Sequence, residues 1–177
     1  MTRLALVLAL VLLPAAAAAP GLTVVGSGTI GAYRFEQPRQ RALGVFGPPT
    51  YSWSSHRINA PAFDTPRCRT TWRSLELTIE YAGPCTTPGR ARRAQIEGSG
   101  WRTREGLRVG DSVARLKRLY RGARLTPIPT GRTLERWGLT PRGREWDLRT
   151  ARPASAVIVV TAGARVVAFE LRPATLR

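Results

Sequence analysis

The sequence has few of the side chains that most enzymes use for catalysis or metal binding. Its 177 residues include one histidine, two cysteines and only 11 Asp+Glu. A zinc site made from His56, Cys68 and Cys85 would have three ligands, two of them thiols that oxidise readily. The acidic residues are scattered, so no pair of carboxylates suits glycoside hydrolysis. We therefore expect a non-enzymatic protein with no metal and no cofactor.

The single histidine supports one alternative, a small secreted hydrolase that uses His56 and a nearby serine. His56 follows Ser52-Trp53-Ser54-Ser55, and Asp64 is the acid that would orient it. The chain has no Gly-x-Ser-x-Gly motif and no oxyanion signature. It also lacks a phosphate-binding loop, because Gly26-Ser27-Gly28 is not followed by Lys and Ser or Thr.

Negative charge is scarce, and so is lysine. There are 28 Lys+Arg against 11 Asp+Glu, which gives a formal charge of +17, and Lys117 is the one lysine. An arginine excess fits binding to an acidic protein or to an anionic envelope polymer, and a biased codon supply explains it equally well. Nucleic acid is an unfavoured partner, because the chain has no recognised nucleic-acid motif and is expected to be exported.

Long apolar runs are absent except near the N-terminus. The ten residues Leu4–Leu13 are apolar; Arg3 precedes them, and Pro14 and the alanines 15–19 follow. This order is typical of a secretory signal peptide over residues 1–19, and ten residues are too few to span a bilayer comfortably. We expect a secreted or extracytoplasmic protein with no transmembrane segment after signal cleavage.

Export makes a disulfide the expected state of the two cysteines. Cys68 and Cys85 would close a loop of 18 residues counting both ends. Closing such a loop stabilises a fold by about 3 kcal/mol in the chain-entropy model. The sequence therefore predicts a Cys68–Cys85 bond.

Two segments that lie 74 positions apart share one pattern. Tyr33-Arg34-Phe35 and Leu107-Arg108-Val109 each place Arg between two apolar residues and precede a helix start. Pro38 suits the first helical position and Asp111 suits an N-cap, and a glycine ends each helix. The apolar stripe of the second helix consists of Val113, Leu116, Leu119 and Tyr120.

This repetition predicts an α+β fold made of two tandem copies of a small helix-loop-helix plus antiparallel sheet unit. The copies would cover residues 20–100 and 101–177. Alternation from Leu75 to Tyr81 predicts a strand with one buried face.

Two further segments carry local signals. Residues 157–161 and 165–171 predict a hairpin that turns at Ala162-Gly163. The glycines and prolines of residues 122–145 predict a long irregular connection, with a helical turn over Leu134–Trp137.

The segment Gly106-Leu107-Arg108-Val109-Gly110-Asp111-Ser112 resembles the repeat opening of the β-lactamase inhibitor protein (BLIP) fold. Small outer-membrane lipoproteins of the BamE/SmpA type share that fold. The resemblance implies a helix-loop-helix packed on an antiparallel sheet, often in tandem and often secreted. Family members bind proteins through sheet and loop residues. By motif the resemblance covers Gly106–Gly122, and the first copy has Glu36-Gln37 where the motif has Gly-Asp.

The candidate binding residues fall into two groups. Arg115, Arg118 and Arg121 form a cationic face of the second helix, and Trp101 and Trp146 lie near arginines in the sequence. We expect a secreted protein that binds another macromolecule, either a protein or an anionic cell-envelope component. The alternatives are the hydrolase and a structural module that has no ligand.

Overall fold

A computed structural model describes residues 24–26, 28–35, 37–55, 66–121, 124–127, 134–139 and 155–173. Two α-helices, α1 (Arg39–Phe46) and α2 (Val113–Leu119), and a 3-10 turn at Arg73–Leu75 lie in these ranges. The strands are β1 (Val24–Gly26), β2 (Thr29–Ile30), β3 (Tyr33–Arg34), β4 (Tyr51–Ser55), β5 (Arg67–Trp72), β6 (Leu77–Ala82), β7 (Ala91–Ile96), β8 (Arg102–Thr103), β9 (Arg124–Pro127), β10 (Leu134–Leu139), β11 (Ser155–Ala162) and β12 (Arg165–Pro173).

Eight of the strands form one antiparallel sheet in the order β4-β5-β6-β7-β12-β11-β10-β9. The strands β4 to β7 form one meander and β9 to β12 form a second. The two meanders meet where β7 pairs with β12, with Ile96 opposite Phe169 and Ala94 opposite Leu171. We call this junction the seam. Each meander follows one helix in the chain.

The remaining four strands form a smaller sheet in the order β3-β2-β1-β8. Strand β8 pairs in parallel with β1, with Val25 opposite Thr103. Both sheets therefore contain strands from the N-terminal and the C-terminal half. The division into units 20–100 and 101–177 stays a prediction.

The predicted fold class, α+β with two helix-loop-helix plus sheet copies, is wrong. The fold is mostly β, and the described residues contain two short helices of eight and seven residues. The predicted helical turn over Leu134–Trp137 is also wrong, because this segment belongs to strand β10. Strand β10 pairs with β9 on one side and β11 on the other. Such long-range hydrogen bonds override local turn signals.

Both helices begin one residue later than the sequence pattern predicts. Pro38 is the N-cap of α1 and not its first helical residue, and Ser112, which lies 74 positions later, precedes α2. Ser112 is the N-cap of α2 in place of the predicted Asp111, because its Oγ accepts a hydrogen bond from Arg115 N at 3.2 Å. Asp111 Oδ2 instead accepts from Arg108 N at 2.8 Å.

One face of the eight-stranded sheet packs into the core with both helices. Ala42 of α1 and Leu116 of α2 are fully buried there. Phe46, at the end of α1, contacts Trp72 edge-on with ring centroids 5.4 Å apart, and it contacts Trp101 at 6.4 Å. Trp72 Nε1 donates to Gly47 O at 2.9 Å, so the first helix is fixed to β5. In the described ranges, neither helix has the length and apolar composition needed to cross a membrane.

Candidate binding face

Burial alternates along strand β6 and so identifies the two faces of the large sheet. Leu77, Ile79 and Tyr81 are fully buried, whereas Thr78 and Glu80 between them are half-buried. Successive side chains of a strand point to opposite faces. The face opposite the core is the open face, formed by Tyr51, Trp53, Arg69, Thr71, Thr78, Glu80, Arg93, Gln95, Glu170 and Arg172.

Strand register arranges the open face in two rows. In the first row Trp53 lies opposite Arg69, Arg69 opposite Glu80, and Glu80 opposite Arg93. The second row runs across five strands and consists of Tyr51, Thr71, Thr78, Gln95 and Glu170. Each row therefore begins with an aromatic residue on β4 and crosses to charged and polar residues.

The two aromatic side chains of β4 are exposed to solvent. Tyr51 is 42% exposed and Trp53 is 43% exposed, and among the side chains whose burial the structure describes no other large hydrophobic one is as exposed. The Arg69 guanidinium carbon lies 5.3 Å from the Trp53 ring centroid, and that of Arg73 lies 5.6 Å from the Tyr51 ring. These cation–π contacts hold both rings and both guanidiniums in place.

Two ion-pair groups cross the open face. Arg69 donates to Glu80 Oε1 from Nε at 3.1 Å and from Nη2 at 2.6 Å. Glu170 is only 1% exposed; Arg93 Nη2 donates to its Oε2 at 3.3 Å, and Arg172 Nε donates to its Oε1. Buried charge is tolerated because it is paired and hydrogen-bonded.

A depression of about 440 Å³ lies on the β5–β7 part of this face. Its floor contains Thr71 and Thr78, whose hydroxyl oxygens are 3.1 Å apart. Its walls carry both charge signs in equal number: Arg69, Arg73, Arg93, Glu76, Glu80 and Glu97. The depression is therefore polar and charge-balanced, and it suits hydrogen bonding to a polar surface.

Neither predicted tryptophan contributes to this face in the described structure. Trp101 is 2% exposed, and its Nε1 donates to Leu75 O at 2.7 Å, so it is a core residue. Trp146 lies outside the described residues.

The predicted arginines lie at or beside helix α2. Arg115 pairs with Asp111 at 3.2 Å and donates to Gly106 O at 3.3 Å, so part of its guanidinium makes intramolecular contacts. Arg118 and Arg121 are exposed. A binding role for this cationic surface stays a prediction.

The residues of the hydrolase alternative are not brought together in the described ranges. His56 and Asp64 lie outside them. Ser54 Oγ accepts from Cys85 N at 2.9 Å, and Ser52 Oγ donates to Thr70 Oγ1 at 3.2 Å. No group of three or more His, Cys, Asp or Glu side chains that could hold a metal occurs in the part of the chain described here.

The predicted disulfide is confirmed. Cys68 of β5 bonds Cys85 in the β6–β7 loop, with Cα atoms 4.7 Å apart. Cys68 is fully buried, and the bond fixes this loop next to the start of α1, where Arg39 Nη2 donates to Cys85 O at 2.9 Å.

Three tyrosines have raised pKa values, and none of them belongs to the open face. Burial raises the pKa of Tyr33 to about 12. Burial also raises the pKa of Tyr81, and the neighbouring Tyr33 adds to the effect. For Tyr120 the causes are burial and then a hydrogen bond to Glu105. These phenols stay neutral and structural at physiological pH.

The sequence interpretation missed the aromatic part of the open face. In Tyr51-Ser52-Trp53-Ser54 aromatic residues alternate with serines, which is the signature of a strand with one aromatic face. The whole face needs the register of β4 to β7, which no local pattern contains. No protein-family model, curated protein or solved structure matches the chain.

Proposed function

We propose that this chain is an exported, non-enzymatic protein that binds another protein through the open face. The observation that carries the proposal is the exposed pair Tyr51 and Trp53, each stacked with an arginine. Tyr, Trp and Arg are the residues that dominate binding energy at protein interfaces. The Cys68–Cys85 bond fits an oxidising compartment.

The rigidity of the face supports the same function. Its side chains stand on adjacent hydrogen-bonded strands, and they are held to one another by stacking and by ion pairs. Side chains that are ordered before binding lose little conformational entropy when a partner arrives. The face is therefore organised to receive a partner of fixed shape.

Charge favours a protein over an anionic polymer as the partner of this face. Arg69 is already neutralised by Glu80, and the walls of the depression balance Arg with Glu. A polyanion gains most from uncompensated positive charge. A folded protein, which presents both charge signs, matches a balanced face better.

The test is affinity capture from the secreted and envelope proteins of the cells that make the chain. Wild type is compared with the double variant Tyr51→Ala/Trp53→Ala and with the control Arg118→Gln/Arg121→Gln on the α2 surface. We expect wild type and control to retain the same protein and the aromatic variant to lose it. Titration with the purified partner should show about 30-fold weaker binding for Trp53→Ala, as for an interface hot spot.

Two outcomes would contradict the proposal. If wild type captures no protein, the chain does not bind one under these conditions. If the Arg118→Gln/Arg121→Gln control loses the partner and affinity falls steeply with salt, the contact lies on helix α2. All four substitutions are at exposed positions, so near-UV circular dichroism from the buried tryptophans should be unchanged.

A further inference from the structure

The group formed by Arg93, Glu170 and Arg172, which we call the triad, lies at the seam between the two meanders. Arg93 belongs to β7, whereas Glu170 and Arg172 belong to β12. The carboxylate is 1% exposed, but the side chains of Arg93 and Arg172 are 36% and 41% exposed. Each arginine therefore contacts a buried anion, and part of its side chain reaches solvent.

The bonding of the triad leaves donors on both arginines. Arg93 donates from Nη2 to Glu170 Oε2 at 3.3 Å, its buried Nε lies 3.1 Å from Oε1 without forming a hydrogen bond, and Arg172 donates from Nε. A guanidinium has five N–H donors in a planar fork. Within the described residues, several N–H groups of both arginines thus stay open to a ligand.

The triad has two guanidiniums on one carboxylate, whereas Arg69 and Glu80 pair one to one beside it. Bonds to buried Glu170 hold both side chains, so an anion would meet donors that are already oriented.

We infer that the solvent side of Arg93 and Arg172 is a binding site for a carboxylate, namely an aspartate or glutamate side chain of the protein partner. Arginine binds planar carboxylates through two parallel hydrogen bonds, which a point charge such as lysine cannot reproduce. The inference rests on the proposed protein-binding function for its ligand, but the site itself is testable without the partner.

The experiment is a titration of the ¹⁵N-labelled full-length protein with sodium acetate at constant ionic strength, followed by NMR of the arginine Nε–H groups. Acetamide, which has the same shape without the charge, is the matched control ligand. We expect saturable shifts at Arg93 and Arg172 with acetate, no saturable shift with acetamide, and no saturable response at Arg118. Arg172→Gln should weaken acetate binding about fivefold, as for loss of an exposed charge pair.

Arg172→Lys separates fork geometry from charge. It should weaken binding nearly as much as Arg172→Gln, and dispersed amide spectra establish that each variant is folded. Equal shifts at Arg118, an equal response to acetamide, or full affinity in Arg172→Lys would overturn the site. Tighter binding of sulfate than of acetate would overturn the assignment to a carboxylate.

These outcomes are distinct from failure of the proposed function. A negative acetate titration beside partner capture that depends on Trp53 removes the carboxylate site and leaves protein binding intact. Saturable acetate binding in a protein that captures no partner removes the proposed function and with it the identification of the ligand as a partner side chain.

Discussion

Loss of the Cys68–Cys85 bond should lower the free energy of unfolding and release one specific loop. The cysteines are 17 positions apart, and in the chain-entropy model closing a loop of this size stabilises the fold by about 3 kcal/mol. Cys68 is also fully buried, so the double variant Cys68→Ala/Cys85→Ala loses some packing as well. We therefore expect a loss of about 3 kcal/mol, and somewhat more in the alanine variant.

The structural effect should be local, since the β6–β7 loop supports the start of α1. Arg39 N donates to Gly89 O at 3.3 Å, and Gly83 N donates to Pro66 O at 2.8 Å. These amides depend on the position of the loop. Leu116 N of α2 instead donates to Ser112 O at 3.1 Å, outside the loop, and provides an internal reference.

Urea unfolding and amide hydrogen exchange measure both effects. Wild type, reduced wild type and the alanine variant are compared; reduction is specific because the chain has only two cysteines. Reduced wild type and variant should lose similar stability, and exchange should accelerate more at Arg39 and Gly83 than at Leu116. A loss below about 1 kcal/mol, or equal acceleration at all three amides, would refute the loop-closure reasoning.

Two further predictions concern the core. Leu116→Ala should lower the free energy of unfolding, measured by urea unfolding, by about 3 kcal/mol, because Leu116 is fully buried. The control Ala114→Gly, on the exposed side of α2, should lower it by about 1 kcal/mol. Equal losses in the two variants would contradict the packing of Leu116 in the core. Alkali should unfold the protein, because buried tyrosines ionise less readily in the folded state than in the unfolded state. Their contribution to stability is full below pH 10 and is lost as pH rises through the raised pKa of Tyr33, about 12. Tyr81 and Tyr120, whose pKa values are also raised, add to the loss. Absorbance at 295 nm and circular dichroism should change together, and ionisation of the buried tyrosines in a folded protein would contradict the assignment.

The sequence predicted the elements whose signals are local. Helix α2 was visible from its apolar stripe, and the hairpin of β11 and β12 forms as expected, although it turns one residue later than predicted, at Gly163-Ala164. The segment from Leu75 to Tyr81 was nearly right, because β6 begins at Leu77 and Leu75 belongs to the preceding 3-10 turn. Each of these features depends on spacing within a few residues.

Features that depend on distant pairing were missed. Strand β10 has no strong local pattern, and its identity comes from its ladder with β11. The triad combines Arg93 with Glu170, which are 77 positions apart. Trp101 appeared to be a surface candidate because it lies among arginines, but its burial follows from packing against Phe46. The sequence alone does not contain these long-range registers.

The position of the seam also sets the order in which the strands of the large sheet can pair during synthesis. Strand β7 ends at Ile96, but its partner β12 extends to Pro173, so the first meander is made well before the strand that covers its edge. An uncovered strand edge is a template for pairing with other chains. A chain truncated after α2 should therefore self-associate through β7. Because Glu170 and Arg172 belong to β12, the proposed carboxylate site forms only after β12 has been translated.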